Sequence, residues 1–321
     1  MSNLVQKYLK RISARKAEST LRNRKVSIRQ FFEWHTGEDI EDIEEYEPDT
    51  IFIEQVDIED YIDHLLDEEY AHKSIQNKVY GISDFCNYAE RRGADIDLDI
   101  SETEIDGITG NEIDNHTKKR YIEKDDFEDM MKSTDKLRNK ILLLLMWDTG
   151  VRSQEAISIK IDDIDREERS IEVENAKGRE LSGDEERTVY YGKKFDLLLT
   201  KWLDRGGRDS YMYTDTPEDE GHLLVTKQQP YMAIGRVNEI VKEAIERVGI
   251  QEELYEDKNG RTRLKYTSHA LRHSFAVHRV KNGCPLVYLQ SMMGHSDIEQ
   301  TREYLQFRGD DVKEAYRKYS P

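Results

Sequence analysis

Four separated segments carry polar side chains that neither helix propensity nor core packing requires. In the first, Asp148-Thr-Gly-Val-Arg152-Ser-Gln-Glu155, a glycine-containing turn closes the apolar run Ile141 to Trp147 and opens another helix. Arg152 therefore falls near a helix N-terminus, where unpaired backbone N–H groups and a guanidinium favour the same oxyanion. A surface ion pair with Glu155 at i,i+3 is the plainer alternative, and Glu155 itself suits orienting an arginine better than acid–base work. In the second segment, His269-Ala-Leu-Arg272-His273, residues i and i+3 share a helix face, so His269 and Arg272 can approach one small group together. His269 and His273 also stand at the i,i+4 spacing of a metal pair, but no cysteine pair or HExxH pattern accompanies them. The third segment, Met293-Gly-His295-Ser-Asp297, sets an imidazole just beyond a glycine that ends a helix, and the fourth, Thr301-Arg-Glu-Tyr304, brings a phenol nine residues later.

Taken in order, T-G-x-R-x-x-E, a hairpin lysine before glycine at Lys177-Gly178, H-x-x-R, G-H, and a tyrosine preceded by T-x-x closely resemble the tyrosine recombinases, or phage-type integrases, of the Xer-like kind. Each motif is weak alone; all five in register make a specific signature. The resemblance covers residues 117–321 well, and the N-terminal part is similar in size and basic character to the family's core-type DNA-binding domain. It implies that Arg152 and Arg272 bind phosphate, that Lys177 is the hairpin lysine, that His269 and His295 are the two imidazoles, and that Tyr304 is the nucleophile. The implied partner is double-stranded DNA, with a homotetramer on two DNA sites during recombination and room for accessory proteins. Neither a cofactor nor a metal is implied. The acidic stretch Glu180 to Glu186 departs from a compact lysine hairpin.

The residue types suit that chemistry on physical grounds. A free phenol has a pKa near 10, so about one in a thousand is ionised at pH 7, roughly 4 kcal/mol short of full ionisation. Nearby cations lower that deficit. Two arginines each offer a planar pair of donors to the non-bridging oxygens of a phosphodiester as charge concentrates in a pentacoordinate transition state. Local charge agrees: residues 261–308 hold eight Lys or Arg against three acids, 8 − 3 = +5, within an acidic protein. In the implied reaction Tyr304 forms a 3'-phosphotyrosyl link, Lys177 protonates the leaving 5'-oxygen, His269 serves or orients the phenol, and His295 donates to the phosphate. Two other functions remain open from sequence. One is type IB topoisomerase-like relaxation, against which the short two-domain chain argues. The other is a non-catalytic DNA-binding protein on the same fold, against which the complete residue set argues.

These segments need elements to hold them. Apolar residues at helical spacing predict helices over Thr20–Trp34, from Asp57 onward, and over His72–Arg92, with Gly93 as a stop. Residues 1–93 thus form a helical DNA-binding domain whose aromatic stripe is core. Residues 94–116 hold eight acids and no Lys or Arg, which marks an acidic linker. The remaining 117–321 form the catalytic domain: helices near Lys124–Lys132, Asp135–Trp147, Phe195–Leu203, Arg236–Val248, Ser268–Lys281 and Val287–Met293, and a long-tipped hairpin joining Ser170–Asn175 to Arg187–Tyr191. The fold class is mainly α with a small antiparallel β-sheet. Asp310 to Tyr319 has the spacing of a short amphipathic helix.

Composition bounds the partners. Of 321 residues, 49 are Lys or Arg and 67 are Asp or Glu, a net charge of −18 that excludes a uniformly cationic coat. The charge is segregated instead. Met1 to Trp34 holds nine basic residues against two acids, 9 − 2 = +7, whereas His35 to Glu69 holds sixteen acids and no Lys or Arg. That dipolar pattern fits one face on a polyanion and another in solvent. The acid surplus also matches adaptation to high intracellular salt. No apolar run approaches the roughly 20 residues of a membrane span, and the first residues lack the pattern of a secretory signal. A cytoplasmic location follows, nucleoid-associated when on DNA. Cys86 and Cys284 form no CxxC pair and are expected to pack rather than react.

Overall fold

The computed structural model describes residues 4–46, 52–68, 70–97, 120–174, 186–212, 218–256, 262–294 and 298–307. Lys177, His295, residues 98–116 of the expected linker, the hairpin tip and the helix expected over 310–319 lie outside them. The chain separates into two compact units, one comprising the described residues up to Asp97 and the other those from Arg120 onward.

The first unit is built on α1 (Leu4–Ser13), α2 (Glu18–Thr36), α3 (Gln55–Asp67) and α4 (His72–Glu90). Apolar residues on one stripe of each helix drive them together: Tyr8, Leu9, Ile28, Phe31, Phe32, Tyr61, Ile82 and Phe85 are all buried. The aromatic stripe is therefore core, as expected. Gly81 lets α4 approach α2, since a Cβ there would lie 3.1 Å from Ser27 Cβ. Gly37, at φ +72°, ends α2 with its N–H donated to Glu33 O at 3.0 Å. Asp57 accepts the Glu54 N–H at 2.7 Å and so anchors the start of α3. Two features were not anticipated. Leu4–Ser13 is helical, with Val5, Tyr8, Leu9 and Ile12 on its buried face. In addition β1 (Phe52–Glu54) pairs in parallel with β2 (Asp95–Asp97) in the register Ile53↔Ile96. Composition assigns Asp95–Asp97 to the acidic linker; burial of Ile53 and Ile96 instead ties it to the first unit.

The second unit is organised around α6 (Leu137–Thr149), whose Ile141, Leu142, Leu143, Leu145 and Met146 are buried on all sides. Around it lie α5 (Lys124–Ser133), α7 (Ser153–Ser158), α8 (Lys193–Leu199), α9 (Ile234–Arg247), α10 (Ser268–Lys281) and α11 (Leu286–Met293). The small sheet runs in the order β3 (Ile164–Asp165), β4 (Ser170–Val173), β5 (Arg187–Tyr190), antiparallel throughout, with Ser170 opposite Tyr190 and Val173 opposite Arg187. A second hairpin, β6 (Glu253–Glu256) with β7 (Thr262–Leu264), leads into α10. A four-residue helix, α12 (Glu299–Arg302), and a tight turn over Glu303–Phe307 follow α11. The molecule is mainly helical with small sheets, matching the expected class. Among the described residues no helix is long and apolar enough to cross a membrane. Cys86 is buried, and burial pushes its thiol up to about 12, away from redox chemistry at neutral pH.

Candidate active site

The site begins where α6 stops. Gly150 takes φ +67° and donates its N–H to Met146 O at 3.0 Å, a glycine cap that turns the chain sharply. Its hydrogen side chain is required twice over, because a Cβ would sit 2.5 Å from Phe275 Cδ1 on α10. The turn delivers Arg152 to the N-cap of α7 in an extended conformation. Its backbone N–H donates to Glu155 Oε2 at 2.7 Å and its Nη1 to Glu155 Oε1 at 2.8 Å.

Glu155 is fully buried and serves a second arginine. Arg187, the first residue of β5, donates Nη1 to Oε1 at 3.1 Å and Nη2 to Oε2 at 2.7 Å. Burial alone would raise the Glu155 carboxyl, but the bonds and charge of Arg187, with the backbone and charge of Arg152, outweigh it and hold the pKa below the usual carboxylate range. The carboxylate is an anion at neutral pH. This confirms it as an orienting partner and adds an arginine that sequence reasoning missed. The available signal was Arg187 lying two residues from inward-facing Val189 on one strand, the same face of the pleat.

Arg272 enters from α10, one turn beyond His269. It is 2% exposed and bridges two elements, donating Nη1 to Gly150 O and Nη2 to Met293 O, both at 2.6 Å. Burial, then the positive charge of Arg152, lowers its pKa to about 9, with Arg187 acting in the same sense and Glu155 and Tyr304 opposing. Arg272 remains a cation at neutral pH. Arg152, Glu155, Arg187 and Tyr304 thus all lie within electrostatic reach of Arg272.

The imidazoles divide by environment. His269 stays solvent-accessible at the start of α10, yet the water it has lost, followed by the charges of Arg272 and Arg152, pulls its pKa below the ordinary value. It is therefore a neutral donor or acceptor at pH 7. His273 lies one turn further in, its ring 5.0 Å from that of Tyr304 and 5.9 Å from that of Phe307. Burial, then His269 and Arg120, lowers its pKa to about 4. Its Nε2 is buried without a hydrogen-bond partner among the described residues. Tyr304 sits in the turn over Glu303–Phe307, 5% exposed, packed with Phe275, Val277, Leu289 and Met293. Thr301, three residues earlier, is wholly buried. Arg152, His269, Arg272 and Tyr304 thus occupy one neighbourhood.

The family model described as the phage integrase family matches residues 120–309, more than half of the chain. The chain belongs to the phage integrase family. Curated relatives within reach of this integrase domain include tyrosine recombinase XerA of Pyrococcus furiosus, 28% identical over 185 residues, 57% of this chain and 55% of that protein. The chain thus spans about half the length of that relative. Tyrosine recombinase XerD of Bifidobacterium longum is 27% identical over 318 residues, covering 95% of this chain and 92% of its own. Among solved structures, the Tn1549 transposon integrase in complex with transposon right end DNA aligns at a TM-score of 0.68 and 16% identity, over 98% of this chain and 97% of that one. The XerH recombinase in a pre-cleavage complex with its difH substrate aligns at 0.64 and 19%, over 94% and 79%. These likenesses establish that the integrase fold extends over both units.

Proposed function

We propose that this integrase-family chain is a site-specific DNA recombinase that cuts and rejoins strands through Tyr304. The observation that carries the reading is that Arg152 and Tyr304 both lie within electrostatic reach of Arg272, with the buried Glu155 carboxylate bonded to Arg152. Their donors suit the non-bridging oxygens of a phosphodiester, and their charge favours the phenolate over the phenol. Tyr304 Oη attacks phosphorus, a new O–P bond forms, and the bond to the 5'-oxygen breaks. Lys177 gives the leaving oxygen its proton, His269 receives or steers the phenolic proton, and His295 donates to the phosphate. The phosphotyrosyl ester retains the energy of the broken diester. Attack by a 5'-hydroxyl from another duplex then rejoins strands without a nucleotide cofactor. Because Tyr304 is only 5% exposed, the turn over Glu303–Phe307 must swing outward to meet DNA.

Strand exchange between two duplexes requires four protomers, so a homotetramer on two sites is the working assembly, acting on cytoplasmic DNA. A plasmid carrying two copies of a duplex drawn from the protein's genomic surroundings tests the reading. Deletion or inversion between the copies supports recombination; relaxed circles without rearranged DNA would instead indicate a topoisomerase.

A further inference from the structure

Arg187 is not among the residues that the motifs supply, yet its bonds join two parts of the site, Glu155 and the end of α11. Its guanidinium meets Glu155 as a two-pronged fork, Nη1 on one carboxylate oxygen and Nη2 on the other. Its Nε donates to Met292 O at 3.2 Å, while Arg272 takes the next carbonyl, Met293 O, at 2.6 Å. Two guanidiniums thus cap the final turn of α11, whose last carbonyls have no partner within the helix. Gly294 at φ +60° closes over the group: a Cβ there would lie 3.0 Å from Arg187 Nη1. The Arg187 side chain is 10% exposed and that of Glu155 is 0% exposed. A charge pair this far from water is built into the fold.

The arrangement matters for Arg152. Each Glu155 oxygen accepts one bond from Arg187 and one from Arg152, whose share is met by its backbone N–H and Nη1 alone. Among the described residues Nε and Nη2 of Arg152 have no hydrogen-bond partner, and its side chain is 33% exposed. The Glu155 carboxylate therefore engages neither of those donors. We propose that Arg187 is a positioning residue for strand cleavage: it holds Glu155 and the end of α11 so that Arg152 keeps its outer donors for the scissile phosphate. Without it, the buried carboxylate would draw Arg152 into a full fork and withdraw it from substrate. The inference rests on the recombinase reading and deepens it.

The decisive experiment compares wild type, Tyr304→Phe, Arg187→Lys, Arg187→Met and the double variant Arg187→Met/Glu155→Gln. All are full-length and assayed on one nicked duplex for binding and for detergent-resistant adduct at saturating DNA. The expected result for Arg187→Met is adduct formation reduced about 100-fold, with the dissociation constant for DNA changed less than about threefold. Arg187→Lys, which keeps the charge but not the fork, falls between. Removing the unmatched carboxylate in the double variant recovers at least about tenfold over Arg187→Met, a rescue that general damage to the fold would not give. If Arg187→Met forms adduct at the wild-type rate, or if the double variant is no faster than the single one at equal thermal midpoint, this inference is overturned while the recombinase reading stands. If wild type itself forms no Tyr304-dependent adduct, both fall together.

Discussion

Arg272 shows how one side chain serves stability and chemistry together. It is a buried cation whose two terminal nitrogens join the α6 turn to the end of α11 through Gly150 O and Met293 O. A lysine is a point charge on a flexible stem and cannot bridge both carbonyls in the same geometry. Arg272→Lys should therefore lower stability by about 1–3 kcal/mol, because a buried carbonyl loses its donor, and slow adduct formation by about 10²–10³. Urea unfolding and a cleavage time course measure the two effects separately. His273 makes a different prediction, for pH. It is held neutral down to about pH 4 in the fold, whereas in the unfolded chain it gains a proton near 6.5. Between these values the unfolded state binds more protons, so stability falls as pH drops through the window. The lowered pKa of His269 acts in the same direction. Thermal melts between pH 7 and pH 5 should show a shallower decline for His273→Phe than for wild type. An identical slope would show that His273 does not contribute to the pH dependence.

At the scale of elements, the site depends on the close crossing of α6 and α10. Gly150→Ala must adopt φ +67° and force a Cβ to 2.5 Å from Phe275, so the variant should lose about 2–4 kcal/mol through strain and displaced packing. Calorimetry checks the loss. The helices themselves were legible because their apolar spacing is strong: α2, α4, α10 and α11 fall close to where periodicity places them. Periodicity failed where the chain is amphipathic but short or its partner is distant. Leu4–Ser13 is short and lies among basic residues, although its buried face follows the helical period. The pairing of Phe52–Glu54 with Asp95–Asp97 joins residues about forty positions apart, which no local pattern encodes. The candidate site divides the same way. His269 and Arg272 share a helix face, so their spacing predicted a common approach. Arg187 meets Glu155 from 32 residues away, across a strand whose register only the folded sheet fixes. Glu155, by contrast, was readable as an orienting partner from its place three residues after Arg152.

For the whole molecule, charge segregation makes stability and DNA affinity respond to salt in opposite directions. The chain carries −18 overall, so screening of self-repulsion should raise its thermal midpoint as salt increases. Binding to DNA should weaken over the same range as counterions reassociate. Arg22 on α2 has a side chain 77% exposed and, among the described residues, only a long ion pair, 3.9 Å, with the exposed Glu18. Arg22→Ala is expected to weaken binding similarly across DNA sequences and reduce the slope of log affinity against log salt by about one. An unchanged slope would move the DNA-facing surface of the first unit away from this part of α2.

Covalent chemistry at Tyr304 is tested by trapping the intermediate. Wild type and Tyr304→Phe, matched for DNA binding, are incubated with nicked duplexes from the protein's genomic surroundings and denatured in detergent. A nucleophilic Tyr304 gives a protein–DNA adduct with wild type and none with Tyr304→Phe. Equal binding by both proteins with no adduct from either across a range of salt, or an adduct that persists in Tyr304→Phe, would contradict it.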